Sequence, residues 1–209
     1  MTREIDFRLY AISDRRLCAP RLIALVLKQA AQVGVKAVQL REKDLTPADL
    51  LRLAQDVQDS LSRYGTKLLI NDRADIAAAV GAAGVHLTEQ SISVAAARLI
   101  LGDEALIGAS AHREESVRAA EGSGADFIVL GPVFQSPSHP NVAPLGLHAF
   151  EKIASQVKIP LFAVGGITPD NTRQCLDAGA FGVASIRALV GTKSVRSAVR
   201  AFKRELGEL

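Results

Sequence analysis

The chain of 209 residues has no tryptophan, one methionine and two cysteines, and aromatic residues make up only 4% of it. Cys18 and Cys175 lie far apart and belong to no CxxC motif or Cys/His cluster. Because disulfide frameworks and zinc sites usually show closely spaced cysteines, we expect two reduced thiols that are buried or semi-buried.

Long hydrophobic runs are also missing. No apolar stretch reaches the length that crosses a bilayer, and no Arg-led apolar segment stands at the N-terminus. We therefore expect a cytoplasmic protein with no membrane partner.

Charge of one sign is scarce, since the net charge is only +3. The basic residues between Lys193 and Arg204 are spaced as on a solvated helix face, and nucleic-acid binding would need a stronger basic stripe with aromatics. No nucleic-acid partner is predicted. The chain is 48% hydrophobic and 22% charged, which is ordinary globular composition. Its length suits one large domain or two small ones, and the barrel predicted below makes residues 1–209 a single domain.

Short apolar runs recur along the chain, about one in every 26 residues, and amphipathic helical stretches separate them. The runs are Phe7–Ile12, Ala37–Leu40, Lys67–Ile70, Gly84–Leu87, Leu106–Ala109, Phe127–Leu130, Pro160–Val164 and Gly182–Ile186. Eight such alternations predict an α/β fold, a single (β/α)₈ TIM barrel. A doubly wound open sheet is the alternative, but the residues after the first run, Ser13–Arg16, lack the Gly-rich fingerprint typical of it.

Polar side chains follow the second and third runs directly. Gln39, Arg41 and Lys43 come from the second run, and Asn71 and Asp72 from the third. Parallel strands of a barrel open at one rim, so these groups are expected to meet there. Arg and Lys suit a phosphorylated substrate, and Asp suits a hard cation that bridges phosphate oxygens. Ion pairs between loop ends are the alternative.

Two further segments indicate a ligand site at the same rim. Residues 131–146 contain four prolines and are too polar for core, which is typical of a lid or ligand clamp. Its hydrogen-bonding groups include Ser136, Ser138 and His139. The seventh run ends in Gly165-Gly166 and the eighth in Ile186-Arg187, where barrels frequently bind phosphate.

Seven motifs occur together in a characteristic order and spacing. They are Val38–Lys43, Ile70–Arg73, Gly84–Leu87, Gly108–His112, Gly131–Phe134, Pro144–Gly146 and Val164–Ile167. The set resembles the thiamine-phosphate synthase family, whose relatives include the TenI-type thiazole tautomerases. The resemblance covers nearly the whole chain.

This resemblance implies a (β/α)₈ transferase of thiamine biosynthesis. Such an enzyme joins hydroxymethylpyrimidine pyrophosphate to hydroxyethylthiazole phosphate and releases pyrophosphate. By position, Gln39, Arg41, Lys43, Asn71 and Ser110 would hold the pyrimidine pyrophosphate, and Asp72 would bind Mg²⁺. Ser136, Ser138 and Gly166 would hold the thiazole phosphate. Catalytic roles are expected for Arg41, Lys43 and His139. Small phosphorylated substrates are the expected partners, with assembly as a homodimer left open.

The chain departs from the family pattern at three positions. Ser91 stands where the second Mg²⁺ ligand belongs, unless Glu89 replaces it; His139 stands in place of a lysine; and Arg187 occupies a normally small position. A weakened metal site would also suit a tautomerase that uses His139 for proton transfer, or a phosphate-binding paralogue without turnover. Pro132 matches the synthases, whereas the tautomerases have their catalytic histidine there. His112 is a second acid–base candidate, and His86 is expected to be a satisfied core residue.

Overall fold

The computed structural model describes residues 3–136 and 142–208. Its eight strands form a closed barrel in chain order, and every neighbouring pair is parallel, including the first strand with the last. The prediction of a TIM barrel is confirmed.

The strands lie close to the predicted runs. They are β1 Leu9–Ile12, β2 Ala37–Leu40, β3 Lys67–Asn71, β4 Gly84–Leu87, β5 Leu106–Ala111, β6 Phe127–Leu130, β7 Leu161–Ala163 and β8 Gly182–Ser185. β1 begins two residues later than predicted, and β5 extends two residues further than predicted, so that it carries Ser110 within the sheet, opposite Val129.

Ten helices surround or extend the barrel within the described residues. They are α1 Arg15–Cys18, α2 Ile23–Gln32, α3 Pro47–Leu61, α4 Ala74–Ala79, α5 Val94–Leu101, α6 Glu114–Gly122, α7 Leu147–Ala154, α8 Pro169–Asp177, α9 Arg187–Val190 and α10 Val195–Glu205. Local sequence explains their starts. For example, the Thr46 hydroxyl accepts a hydrogen bond from Asp49 N, and Pro47 pre-sets the first helical turn of α3.

Strand residues alternate between two cores. Outward-facing side chains such as Leu9, Val38, Leu68 and Ile70 pack against the helices in the largest buried cluster. Both cysteines are buried free thiols, as predicted, and Cys175 is part of this cluster. Because successive side chains of a strand point to opposite faces, the intervening residues must fill the barrel itself.

The barrel interior is filled at its lower end by aromatic rings. Phe7, Phe127 and Phe162 lie with ring centroids 5.3–5.5 Å apart, and Tyr10 packs 5.4 Å from Phe127. Phe7 was predicted to belong to β1 but precedes it. Above the rings the interior becomes polar, so the open volume of the barrel lies at the C-terminal ends of the strands.

The proline-containing loop after β6 contains no regular helix in its described residues, 131–136 and 142–146. Val133 N and Phe134 N donate to Val164 O and Gly165 O over 2.8 and 3.1 Å, so the loop begins fastened to the end of β7. Ser138 and His139 lie outside the described residues. A ligand-clamp role for this loop stays a prediction.

In the part of the chain that the structure describes, no helix combines the length and apolarity needed to cross a membrane.

Close backbone approach in the barrel generates a stability prediction. A Cβ atom at Gly84 would overlap the carbonyl group of Leu106 on the neighbouring strand. We expect Gly84→Ala to lower the free energy of unfolding by about 3 kcal/mol, because β4 and β5 must separate to admit the methyl group. Urea denaturation measures the change.

Gly122→Ala is the matched control, since Gly122 is helical and nothing lies within 4 Å of a Cβ atom there. That variant should gain about 0.5 kcal/mol from the reduced entropy of its unfolded chain. Equal effects of the two substitutions would contradict the steric argument.

Candidate active site

A cavity of about 640 Å³ opens at the C-terminal rim of the barrel. Ten of the predicted site residues line it together: Gln39, Arg41, Lys43, Asn71, Ser110, Ser136, Gly165, Gly166, Ile186 and Arg187. Residues from β2, β3, β7 and β8 thus converge, as the parallel-strand argument predicted, and Ser110 on β5 joins them, as the family resemblance implied.

The end of β2 delivers its side chains by strict alternation. Gln39, Arg41 and Lys43 face the cavity, whereas Glu42 between them is buried with 6% of its surface exposed. Gln39 itself is 2% exposed, and its Nε2 lies 3.4 Å from the Tyr10 hydroxyl above the aromatic rings. One strand therefore supplies an amide at depth and two cations nearer the mouth.

A polar network that the sequence analysis did not identify holds this strand end. The Ser13 hydroxyl donates to Glu42 Oε1 over 2.6 Å and accepts from Arg41 N over 2.8 Å. Arg15 donates to both Glu42 and Asp44. The carboxylate of Glu42 is thus engaged in structure, and the network fixes the backbone from which Arg41 projects. A Ser after one strand and a Glu after the next was the available sequence signal.

Three cationic side chains line the cavity without an ion-pair partner among the described residues. The side chains of Arg41, Lys43 and Arg187 make no ion pair or hydrogen bond with the described residues, although Ser13, Glu42 and Arg15 nearby are fully connected. Burial, with Arg41 as a further cause, lowers the pKa of Lys43, and nearby Asp72 partly opposes this. Uncompensated positive charge in a cleft attracts an anion.

The ends of β7 and β8 form a second polar wall. Gly165 and Gly166 both have left-handed backbones, with φ of 93° and 66°. A Cβ atom at Gly166 would lie 2.6 Å from Gln135 O, so glycine is required there for space as well as conformation. Asn171 Nδ2 donates to Gly166 O over 2.9 Å, and Phe134 N donates to Gly165 O. The turn is rigidly held beside Arg187.

His86 on β4 forms part of the cavity floor. Its ring is buried, its Nε2 lies 2.9 Å from the Ser110 hydroxyl, and its Nδ1 has no hydrogen-bond partner among the described residues. Burial, and secondarily the charge of Arg41, lower the pKa of His86 to about 3, so the ring is neutral. The expectation of a core histidine is confirmed by its burial, but the expectation that its polar atoms are satisfied is wrong for Nδ1. The outward-facing Val85 and Leu87 were the signal that His86 points inward.

Asp72, the predicted metal ligand, lies at the rim and is exposed, outside the residues that line the cavity. Its backbone is left-handed, with φ of 66°, and its N–H donates to His86 O over 2.9 Å. Among the described residues, no group of three or more His, Cys, Asp or Glu side chains could hold a metal ion. A cation at this rim would therefore take most of its ligands from water or from a bound molecule.

The substituted turn after β4 is committed to internal contacts. The Ser91 hydroxyl accepts from Thr88 N over 2.7 Å, so Ser91 closes its own turn. Glu89 lines the cavity, but its Oε1 accepts from His112 N and contacts His112 Nδ1, each over 3.2 Å. These contacts, with one to Ser116, lower the pKa of Glu89 despite partial burial. His112 also lines the cavity and remains about half exposed.

Comparison with known proteins identifies the family. A sequence model described as thiamine monophosphate synthase matches residues 9–189. The chain belongs to the thiamine monophosphate synthase family. The resemblance stated from the motifs is confirmed.

Relatives within the thiamine monophosphate synthase family match the chain over nearly its full length. A putative thiamine-phosphate synthase of Geobacter sulfurreducens is 44% identical over 200 residues, which cover 95% of this chain and 94% of the relative. A thiamine-phosphate synthase of Syntrophomonas wolfei is 38% identical over 95% of each chain. The solved structure of a thiamine phosphate pyrophosphorylase from Pyrococcus furiosus superposes with a TM-score of 0.87 at 33% identity, covering 97% of this chain and 96% of that one.

The neutral state of His86 generates a prediction of pH dependence for this family member. In the unfolded chain His86 takes up a proton as the pH falls below its ordinary pKa of 6.5. In the folded protein its pKa is about 3, so the ring stays neutral over most of this range. Stability is therefore lost as the pH falls through this window. Between about pH 7 and about pH 5, the wild-type protein should lose about 2 kcal/mol more than His86→Gln.

Urea denaturation of both proteins at the two pH values measures this difference, and groups that titrate in both proteins cancel. Parallel losses in the two proteins would contradict a neutral buried His86.

Proposed function

We propose that the protein is a thiamine-phosphate synthase, joining hydroxymethylpyrimidine pyrophosphate to hydroxyethylthiazole phosphate. The observation that carries the proposal is one cavity with two separate anion-attracting walls, Arg41 and Lys43 on one strand end and Gly165, Gly166 and Arg187 on two others. Membership of the thiamine monophosphate synthase family and relatives named thiamine-phosphate synthase support it.

In the proposed reaction the first wall holds the pyrimidine pyrophosphate. Arg41, Lys43 and Ser110 would contact the pyrophosphate oxygens, with Asn71 beside them, and the buried amide of Gln39 would meet the more apolar pyrimidine. The bond between the pyrimidine methylene carbon and oxygen breaks, and its electron pair leaves with pyrophosphate. Because negative charge grows on the leaving group, unpaired cations stabilise the transition state more than the ground state.

Mg²⁺ is proposed as the cofactor, with Asp72 as its protein ligand. The residues fit an ion that arrives with its ligand, since Mg²⁺ commonly uses one or two carboxylates, several waters and substrate phosphates. The engagement of Ser91 and Glu89 in local contacts supports a single protein carboxylate at this site. When bound, the ion would neutralise charge on the pyrophosphate.

The second wall would bind the thiazole phosphate. The backbone N–H groups of Gly165 and Gly166 donate to no other described residue, and successive N–H groups of such a turn form a concavity that attracts anions. The planar guanidinium of Arg187 can take a phosphate through two parallel hydrogen bonds. Ser136, buried against the same cavity, would complete the wall with Ile186. The thiazole nitrogen would then capture the pyrimidine cation, forming the carbon–nitrogen bond without a proton transfer.

Several finer expectations stay predictions. Ser138 and His139 lie outside the described residues, so their contacts with the thiazole phosphate stay predictions. The acid–base role of His139, on which thiazole tautomerisation would depend, also stays a prediction. A cytoplasmic location and a homodimer are likewise proposed only as expectations. The alternative is a paralogue that binds phosphorylated ligands without turnover. An assay of product formation distinguishes it from a synthase.

The test is formation of thiamine phosphate from the two purified substrates with Mg²⁺ and enzyme in excess. We expect product with wild-type protein and about a hundredfold slower formation with Arg41→Ala, because that variant loses a charged donor to the leaving group. Absence of product from the wild-type protein would refute the proposal.

Arg173→Ala is the matched control, since it removes the same charge from the exposed face of α8, where Arg173 pairs with Asp177 over 3.0 Å. Its rate should equal that of the wild type. An equal loss in both variants would show that net charge, rather than the position of Arg41, controls the rate.

Arg187 distinguishes a binding role from obstruction of the pocket. If its guanidinium binds the thiazole phosphate, Arg187→Ala should raise KM for that substrate about tenfold and leave KM for the pyrimidine pyrophosphate unchanged, as expected for one lost charge-assisted contact. Steady-state kinetics with each substrate varied in turn gives both values. A lower KM for the thiazole phosphate would mean that Arg187 obstructs it.

A further inference from the structure

His86 carries a buried polar atom that the proposed reaction does not use. The side chain is 2% exposed and lies between the rings of Tyr10 and Phe127, with centroid distances of 5.8 and 5.9 Å. One ring nitrogen, Nε2, contacts Ser110, and the other, Nδ1, has no partner among the described residues. The contact with Ser110 sets the orientation of the imidazole, because a flipped ring would place a carbon atom against the hydroxyl.

The surroundings of Nδ1 determine which nitrogen carries the proton. Nδ1 faces Gly108, where a Cβ atom, if one were present, would lie only 2.6 Å from this nitrogen. A protonated Nδ1 would be a buried donor without an acceptor, which is rarer and more costly in proteins than an unsatisfied acceptor. A bare Nδ1 needs less space and can accept a weak contact from the Gly108 Cα–H. The hydrogen of the neutral ring therefore belongs on Nε2.

This tautomer sets the direction of the bond to Ser110. With its hydrogen on Nε2, the imidazole donates to Ser110 Oγ, and the Ser110 hydroxyl hydrogen is left to point elsewhere. Ser110 has no second hydrogen-bond partner among the described residues and lines the cavity. The hydroxyl hydrogen is thus available to a ligand. In the opposite tautomer Ser110 would donate to His86 and could offer the ligand only lone pairs.

We propose that His86 is a positioning residue that makes Ser110 a hydrogen-bond donor to an anionic oxygen of the ligand. The charge of Arg41 reaches the His86 ring, so Ser110 lies in the region where this cation attracts negative charge. A donor at that place complements the anion, whereas a lone pair would repel it. That the Ser110 hydroxyl donates is inferred from the contacts of His86. Only the identification of the anion as pyrophosphate rests on the proposed function.

The direct test is the tautomer of His86 in the intact protein. The chain has four histidines, and the signals missing from a ¹⁵N-histidine-labelled His86→Phe protein assign those of His86. We expect a long-range ¹⁵N–¹H spectrum at neutral pH to show a protonated Nε2 and a bare Nδ1. A protonated Nδ1 would overturn the proposal. This readout is independent of any activity and so stands even if the synthase proposal fails.

Binding of inorganic pyrophosphate with Mg²⁺, measured by calorimetry, tests the consequence. His86→Phe keeps a ring in the aromatic pocket but removes the donor, and it should weaken binding about tenfold, as should Ser110→Ala. The double variant should be no weaker than Ser110→Ala, because His86 acts on the anion only through Ser110. His86→Gln, whose amide N–H can reach Ser110, should recover most of the affinity.

Additive losses in the double variant, or full affinity in His86→Phe, would overturn the positioning role. If wild-type protein binds no pyrophosphate, the identification of the anion fails along with the proposed function, and the tautomer measurement still decides the donor polarity of Ser110. If His86→Phe does not fold, the signals missing from His86→Gln assign those of His86, and the tautomer of the wild-type protein together with the affinity of His86→Gln carries the test.

Discussion

Closure of the parallel sheet is the constraint on which the site depends. Each strand pairs on both edges, β1 with β8 as well as with β2, so no backbone edge is left open. All eight strands then point the same way, and whatever follows each strand arrives at one rim. Gly84, Gly131 and Gly182 permit this closure, because a Cβ atom at each would overlap the backbone of a neighbouring segment.

At that rim, charged side chains with hydrogen-bond partners lie outside the cavity, and charged side chains without ion-pair partners line it. Outside the cavity, Glu42 is engaged by Ser13 and Arg15, which holds the end of β2 in place. Inside it, Arg41, Lys43 and Arg187 form no ion pair with the described residues, and desolvation, with repulsion from Arg41, lowers the pKa of Lys43. Such an arrangement costs stability in the free protein, and a bound anion would reduce the cost. The hydrogen bonds of Glu42 outside the cavity stabilise the strand end and so offset part of this cost.

Much of the fold and part of the site were predictable because they depend on the order and spacing of residues along the chain. Apolar runs at a steady interval predicted eight strands. Polar residues at the ends of these runs predicted a shared site, and Gln39, Arg41, Lys43 and Asn71 do line the cavity there, whereas Asp72 does not. Partnerships were not predictable in the same way. The turn contacts of Ser91, the turning of Glu89 towards His112 and the incomplete bonding of His86 depend on side-chain directions across different strands and loops.

By itself, the sequence determined which residues alternate, where strands and helices begin, and which family the motifs resemble, since these follow from spacing along one chain. Only the tertiary structure decided which polar groups are satisfied and which are left for a ligand. Glu42 and Arg41 are neighbours in sequence, yet one is buried in a hydrogen-bonded network and the other faces the cavity. Successive strand residues point to opposite faces, and the partners that each face meets come from distant segments of the chain.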